Sequence, residues 1–124
     1  MSLSRFEDIE SWNLARELTF NVYECTKVGS FAKDFGLRDQ ICRSVVSIMS
    51  NIAEGFDSDT NAEFIKFLSY AQRSCSEVRS QLYVAFDQKY INEQQFNHLY
   101  NQAIKCGAKI GAFIKYLKLN KAPK

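Results

Sequence analysis

The sequence predicts an all-α protein, an antiparallel up-down-up-down four-helix bundle. Three observations carry that expectation. Apolar residues recur at three- and four-residue steps through four separate segments. Capping signals mark the starts of those segments. Helix breakers are scarce, with one proline and five glycines in 124 residues. Four helices of about 20–28 residues joined by short loops place sequence neighbours antiparallel. The whole chain, 1–124, reads as one domain, long enough to bury a core without metal or disulfide support.

The first helix is expected over about 9–28, with Asp8 as its N-cap. Trp12, Ala15, Thr19, Val22 and Thr26 mark its inner face, and Gly29-Ser30 ends it. Phe31 and Phe35 in the connection are expected as lids over one end of the bundle. The second helix, about 36–57, is apolar over roughly half its circumference, where an ordinary surface helix needs about 100°. Leu37, Ile41, Val45, Ile48, Met49, Ile52, Ala53 and Phe56 make that arc, flanked by Cys42 and Val46. Gln40, Ser44, Ser47, Asn51 and Glu54 form a polar seam beside it. A helix of this kind is expected to pack on more than one side.

The third helix, about 60–88, starts in a Thr60–Glu63 capping box. Phe64, Phe67, Leu68, Ala71, Cys75, Val78, Leu82, Ala85 and Phe86 hold one face for about six turns. Glu63, Tyr70, Ser74, Glu77 and Gln81 form a second polar flank. The fourth, about 92–119, has Asn92 as cap, Gln95 in the reciprocal position, and Ile91 with Phe96 as a hydrophobic staple.

No apolar run approaches a membrane span, and the first residues lack the basic-then-apolar pattern of a signal peptide. A soluble cytoplasmic protein without membrane contact is expected. Cys25, Cys42, Cys75 and Cys106 are widely spaced, without a CxxC pair, and fall on different helices. At about 1.5 Å rise per residue they separate into two levels on the order of 10 Å apart, too far to share one metal. They read as core fillers in a reducing compartment.

The search for reactants finds little. There is one histidine, His98, and no Glu-x-x-His, which excludes the carboxylate-bridged di-iron chemistry of some bundles. Glu54 and Glu77 flank the core on neighbouring helices, near Arg43, Ser47, Asn51 and Ser74. As a pair they could divide acid and base roles. Their levels along the bundle differ by on the order of 20 Å, so only a neighbouring subunit would join them. The six residues are therefore expected as a structural polar network or a subunit contact. No catalytic, cofactor-binding or metal site is expected.

The net charge of +2 conceals an asymmetry. Glu7, Asp8, Glu10, Glu17 and Glu24 crowd the first 24 residues, while no acidic side chain follows Glu93. Lys105, Lys109, Lys115, Lys118 and Lys121 then make a basic, polar and aromatic-flanked face suited to phosphate backbones.

Phe35-Gly36-Leu37, Gln40-Ile41, Arg43, Ser47-Ile48 and Asn51-Ile52-Ala53-Glu54-Gly55 resemble the signature of the four-helix bundle protein family. These are also called 23S rRNA intervening-sequence proteins or the S23 ribosomal protein family. The likeness extends to Trp12 and Ala15 and to Phe64, Phe67-Leu68, Ala71, Ser74 and Glu77. It departs at Met49, where many members carry proline, and at Ala32, where members often do. The resemblance implies a left-handed bundle, a cytoplasmic bacterial protein and a ring-shaped homopentamer with no known activity. Some members are encoded within rRNA genes, and relatives accompany reverse transcriptases. The expected function is a non-enzymatic, pentameric binding or scaffold protein with RNA or DNA as the favoured ligand. The alternative is a protein-binding adaptor without nucleic-acid contact.

Overall fold

The structure is a computed structural model that describes residues 3–120. Within that range there are four long helices and no strand. They are α1 (Glu10–Thr26), α3 (Phe35–Phe56), α4 (Asn61–Asp87) and α5 (Glu93–Asn120), with a short α2 (Gly29–Lys33) and a 3-10 turn at Phe6–Asp8. Local chemistry explains the boundaries. Asp8 belongs to the turn, where its carboxylate accepts from the Ser4 amide and hydroxyl, each at 3.2 Å. Ile9 takes the cap position of α1 without a side-chain bond, so the expected Asp8 cap is corrected. Extended Val28 and Gly29, at φ 58°, end α1 and turn the chain into α2. Asp34 caps α3 by accepting from the Leu37 amide at 3.1 Å. Thr60 caps α4 by accepting from the Glu63 amide at 3.1 Å. Asn92 and Gln95 exchange two bonds of 2.8 Å at the start of α5, a complete capping box.

The buried apolar side chains form one cluster, with Leu18, Ile41, Ile48, Leu68, Leu82 and Ile110 fully enclosed. Helix α3 packs on α1 and α4, and α5 packs on α4 and α1. Contacts along each seam run in opposite chain order. Between α3 and α4, Asp34 meets Tyr90, Ser47 meets Ser74 and Phe56 meets Phe64. Between α4 and α5, Phe64 meets Phe113, Gln72 meets Gly107 and Arg79 meets Tyr100. Between α1 and α5, Glu10 meets Lys109 and Asn21 meets Gln102.

The lids divide. Phe31 is buried and stacks on Tyr90 at 5.2 Å, whereas Phe35 is 63% exposed with the Arg38 guanidinium over its ring at 4.8 Å. A cap residue beside Phe35 turns its side chain away from the core, which the apolar pattern alone did not separate from Phe31. The α3 arc also divides. Its centre is buried, but Cys42, Met49, Ala53 and Phe56 are half-buried and Val46 is exposed. The expected burial on more than one side is therefore incomplete within the single chain. Cys75 and Cys106 are buried, Cys25 and Cys42 half-buried. The neighbouring Cys75 sulfur and then burial push the Cys106 thiol far up, so it stays protonated.

Helices α3 and α4 approach closely at Gly55. A Cβ there would stand 2.9 Å from Phe64 Cδ1, 3.0 Å from Phe67 Cβ and 3.3 Å from the Phe64 carbonyl oxygen. Gly55→Ala should therefore lower stability by about 1–3 kcal/mol, overriding the roughly 1 kcal/mol by which alanine favours a helix. Thermal and urea unfolding measure it; a raised melting temperature would refute the close-packing account.

Asp34 also ties the helix ends together, since its second carboxylate oxygen accepts from the Tyr90 hydroxyl at 2.9 Å. That bond, followed by desolvation and the Asp34 charge, holds the Tyr90 phenol above its ordinary range. A raised folded value means a contribution fully present below the unfolded value of about 10 and lost as pH climbs through the folded one. With ring-labelled tyrosine, NMR titration should show Tyr90 ionising at higher pH than a free tyrosine. Asp34→Ala should move that midpoint down; an unchanged midpoint would remove Asp34 as the cause.

Candidate ligand-binding faces

Four inter-helix edges present different chemistry. The α3–α4 edge carries the polar seam. Ser47 Oγ accepts from Ser74 Oγ at 3.0 Å and from Asn51 Nδ2 at 3.0 Å, while Asn51 also donates to the Ser47 carbonyl at 2.9 Å. Ser74 is buried, and Ser47 and Asn51 are half-buried. Glu54 and Glu77 are exposed, and Arg43, expected in this seam, instead lines the groove between α1 and α3. The register set by Ser47–Ser74 and Phe56–Phe64 places Glu54 near the level of Phe67. Glu77 lies ten residues farther along α4, roughly 15 Å away. The structure thus joins Ser47, Asn51 and Ser74 and leaves the two carboxylates apart.

The α1–α5 edge holds part of the lysine face. Lys109 Nζ lies 3.5 Å from Glu10 Oε1, and Asn21 Nδ2 donates to Gln102 Oε1 at 3.1 Å. Glu17 and Glu24 follow Glu10 at seven-residue steps, so they share its edge of α1. Lys109 therefore faces an acidic row on the edge of α1, a consequence of packing the acidic start of the chain against its basic end, while exposed Lys105 has no carboxylate within 4.0 Å among the described residues. Lys115 and Lys118 are exposed and lie outside that row, as does exposed His98 beyond its far end. Lys121 lies outside the described residues.

The α1–α3 edge is apolar. Tyr23 is 39% and Val46 40% exposed, beside half-buried Trp12 and Met49, and Phe20, 65% exposed, lies one turn before Tyr23 towards the outer face of α1. At its end Tyr23, Arg38, Cys42, Arg43 and Val46 line a shallow groove of about 650 Å³.

The α4–α5 edge went unnoticed in the sequence. All three cations of α4 lie over aromatic rings: Arg79 over Tyr100 of α5 at 5.5 Å at this edge, and Arg73 over Tyr70 at 5.5 Å and Lys66 over Phe67 at 5.6 Å on the side of α4 that carries Ser74. Tyr83, Phe96 and Tyr100 form a cluster with centroids 5.0–5.4 Å apart, extended by Phe86 at 5.1 Å from Phe96. Next to it, Gln72, Arg73, Ser76, Arg79, Ile104 and Gly107 line a groove of about 580 Å³ with no carboxylate among its lining residues. The Arg79 hydrogen bond, then that of Tyr83, draws the Tyr100 phenol below the usual tyrosine range. Tyr83 itself is held above that range through its bond to Tyr100. The available signal was the pairing of aromatic residues on α4 with those three or four positions apart on α5. Only the register of the two helices brings them together.

No group of three or more metal-ligating side chains occurs among the described residues. No helix among them is long and apolar enough to cross a membrane.

Residues 7–112 match the family of 23S rRNA-intervening sequence proteins. Among solved structures, the chain is similar to a protein of unknown function from the S23 ribosomal protein family of Bacteroides thetaiotaomicron VPI-5482. The two share 24% identity and a TM-score of 0.79 over 85% of this chain and 95% of that one. That likeness speaks to the fold. No curated protein gives a significant match.

The Ser47–Ser74 bond yields a prediction about the seam. In a double-mutant cycle, Ser47→Ala and Ser74→Ala should couple by about 0.5–1.5 kcal/mol, read from urea unfolding midpoints. Strict additivity would show that the bond does not hold the two helices together.

Proposed function

This chain belongs to the family of 23S rRNA-intervening sequence proteins, and from that premise we propose a non-enzymatic, cytoplasmic, self-associating binding protein whose ligand is RNA or DNA. The proposed frame is a single domain, a left-handed up-down-up-down bundle. The reversed chain order of contacts along the helix seams supports the up-and-down part of that reading. The observation that carries the ligand is unpaired basic surface on α4 and α5. Among the described residues, Lys66, Arg73, Arg79, Lys105, Lys115 and Lys118 have no carboxylate within 4.0 Å. Such cations exchange counterions for phosphates without reading bases. The separation of Glu54 from Glu77 and the exposure of His98 support a protein without catalysis.

Self-association, as a homopentamer, is proposed on the α1–α3 edge. Tyr23 and Val46, with Phe20 farther around α1, leave an apolar strip that a second copy would cover. The same strip favours the second reading, an adaptor that docks another protein and touches no nucleic acid. The polar seam of Ser47, Asn51, Glu54, Ser74 and Glu77 is proposed as structural, with its exposed charges, and Arg43 beside the α1–α3 strip, free for subunit contact.

Electrophoretic shift with RNA at low salt, repeated at rising salt, tests the ligand. The shift should appear, weaken with salt, and vanish when Lys105, Lys109 and Lys115 are all changed to Glu. No shift at low salt would end the nucleic-acid reading, whereas a co-purifying protein indifferent to those changes would favour the adaptor. Sedimentation equilibrium decides the assembly, with a monomer mass ruling out the pentamer.

A further inference from the structure

We propose that the α4–α5 groove is a single-strand binding platform, in which Arg73 and Arg79 hold phosphates and Tyr83 offers a stacking face to an unpaired base. The inference rests on the nucleic-acid reading above and names both the strand and the surface. Three features converge on it.

The first is charge. The groove is lined by two arginines and no carboxylate, unlike the α1–α5 edge, where Glu10 engages Lys109 at 3.5 Å. Arg73 and Arg79 are six residues apart on one helix, about 9 Å along its axis and roughly 120° around it, so one strand meets both by running from the groove over the outer face of α4. Each guanidinium is prepositioned by a ring at 5.5 Å, that of Arg79 by Tyr100 of α5 and that of Arg73 by Tyr70 on the Ser74 side of α4.

The second is the ring wall. Tyr83 is 50% exposed, yet its orientation is set by Phe96 at 5.0 Å and Tyr100 at 5.4 Å. A half-exposed ring held by other rings is a ready stacking surface, since little side-chain freedom remains to be lost on binding. A duplex keeps its bases stacked inside and has no use for such a wall; an unpaired strand does.

The third is the floor. Small residues, Ser76, Ala103, Gly107 and Ala108 among them, keep it open. Its hydrogen-bonding groups are largely spent. Gln72 Nε2 donates to the Gly107 carbonyl at 3.1 Å, and Ser69 Oγ donates to the Ile65 carbonyl at 3.0 Å. What remains for a ligand is cationic and aromatic, the pair of contacts that stacked bases and phosphates use. An acidic peptide, which needs partners for its own backbone, finds few here.

Fluorescence anisotropy on the intact protein tests this, using a labelled oligo-uridine, an RNA duplex of equal length and a labelled poly-glutamate peptide. The single strand should bind at least about tenfold tighter than the duplex. Tyr83→Ala should weaken single-strand binding by about tenfold and Tyr83→Phe should restore it, since stacking needs the ring and not the hydroxyl. Arg73→Gln should weaken binding and reduce the salt slope by about 0.7. Helical circular dichroism and sedimentation of each variant establish that fold and assembly are kept. If oligo-uridine binding survives Tyr83→Ala and Arg73→Gln but is lost on reversing the α5 lysines, the groove is overturned while the nucleic-acid reading stands. If neither RNA binds at low salt, both readings fail. Preference for duplex or poly-glutamate, or loss of assembly in Tyr83→Ala, would also overturn the platform.

Discussion

The close approach of α3 to α4 at Gly55 is the constraint from which the rest of the arrangement follows. With no side chain at that position, the end of α3 lies against Phe64 and Phe67 at distances where a single methyl would meet the Phe64 carbonyl. Two rigid helices that touch so closely at one end have little freedom in register at the other. Ser47 and Ser74 then fall opposite each other and satisfy one another's hydroxyls in a half-dry seam. Farther along, Asp34 reaches Tyr90, and Tyr90 closes over Phe31. One carboxylate thereby caps α3 and anchors the chain leaving α4, so the same end of the molecule is secured by a cap, a phenol and a stacked pair.

Charge is distributed by the same packing. Helix α1 carries the acidic start of the chain and α5 its basic end, and the bundle sets them side by side. The edge between them is consequently mixed, with Glu10 engaging Lys109. The edge between α4 and α5 has no such neighbour. Its Arg79 rests on the Tyr100 ring rather than on a carboxylate, as Arg73 and Lys66 rest on Tyr70 and Phe67 farther around α4. A cation over a ring retains most of its field for an outside partner, because the ring contributes a quadrupole and no opposing charge. The basic surface free to act is therefore displaced from the middle of α5 towards α4.

The apolar surplus of α3 has a similar logic. A helix apolar over half its circumference cannot bury all of that arc against two neighbours in one chain. The part facing α1 emerges with Val46 exposed and Met49 half-covered, next to Tyr23 with Phe20 farther around α1. A surface of that composition, rimmed by Arg16 and Arg43, suits contact with another protein surface.

Much of the helix content was legible because it depends on neighbours in sequence. Thr60, Asn92 and Gln95 sit where residues three apart meet the free amides of a first turn, and the apolar steps around Leu68 or Ile110 follow from 3.6 residues per turn. The lysines of α5 were likewise visible as a run, and Ser47, Asn51 and Ser74 as seam positions. What periodicity lacked was register, since it assigns each residue a face but no partner on another helix. Only the tertiary structure set Glu10 against Lys109, held Glu54 and Glu77 at different levels, and gathered Tyr83, Phe96, Tyr100 and Arg79. It also decided that Phe31 is core while Phe35, four residues on, faces water, because the Asp34 cap between them redirects the chain. Sequence determined the elements through local hydrogen bonding and helical period; their sites arise from close packing at Gly55 and the alignment it imposes, which no single helix encodes.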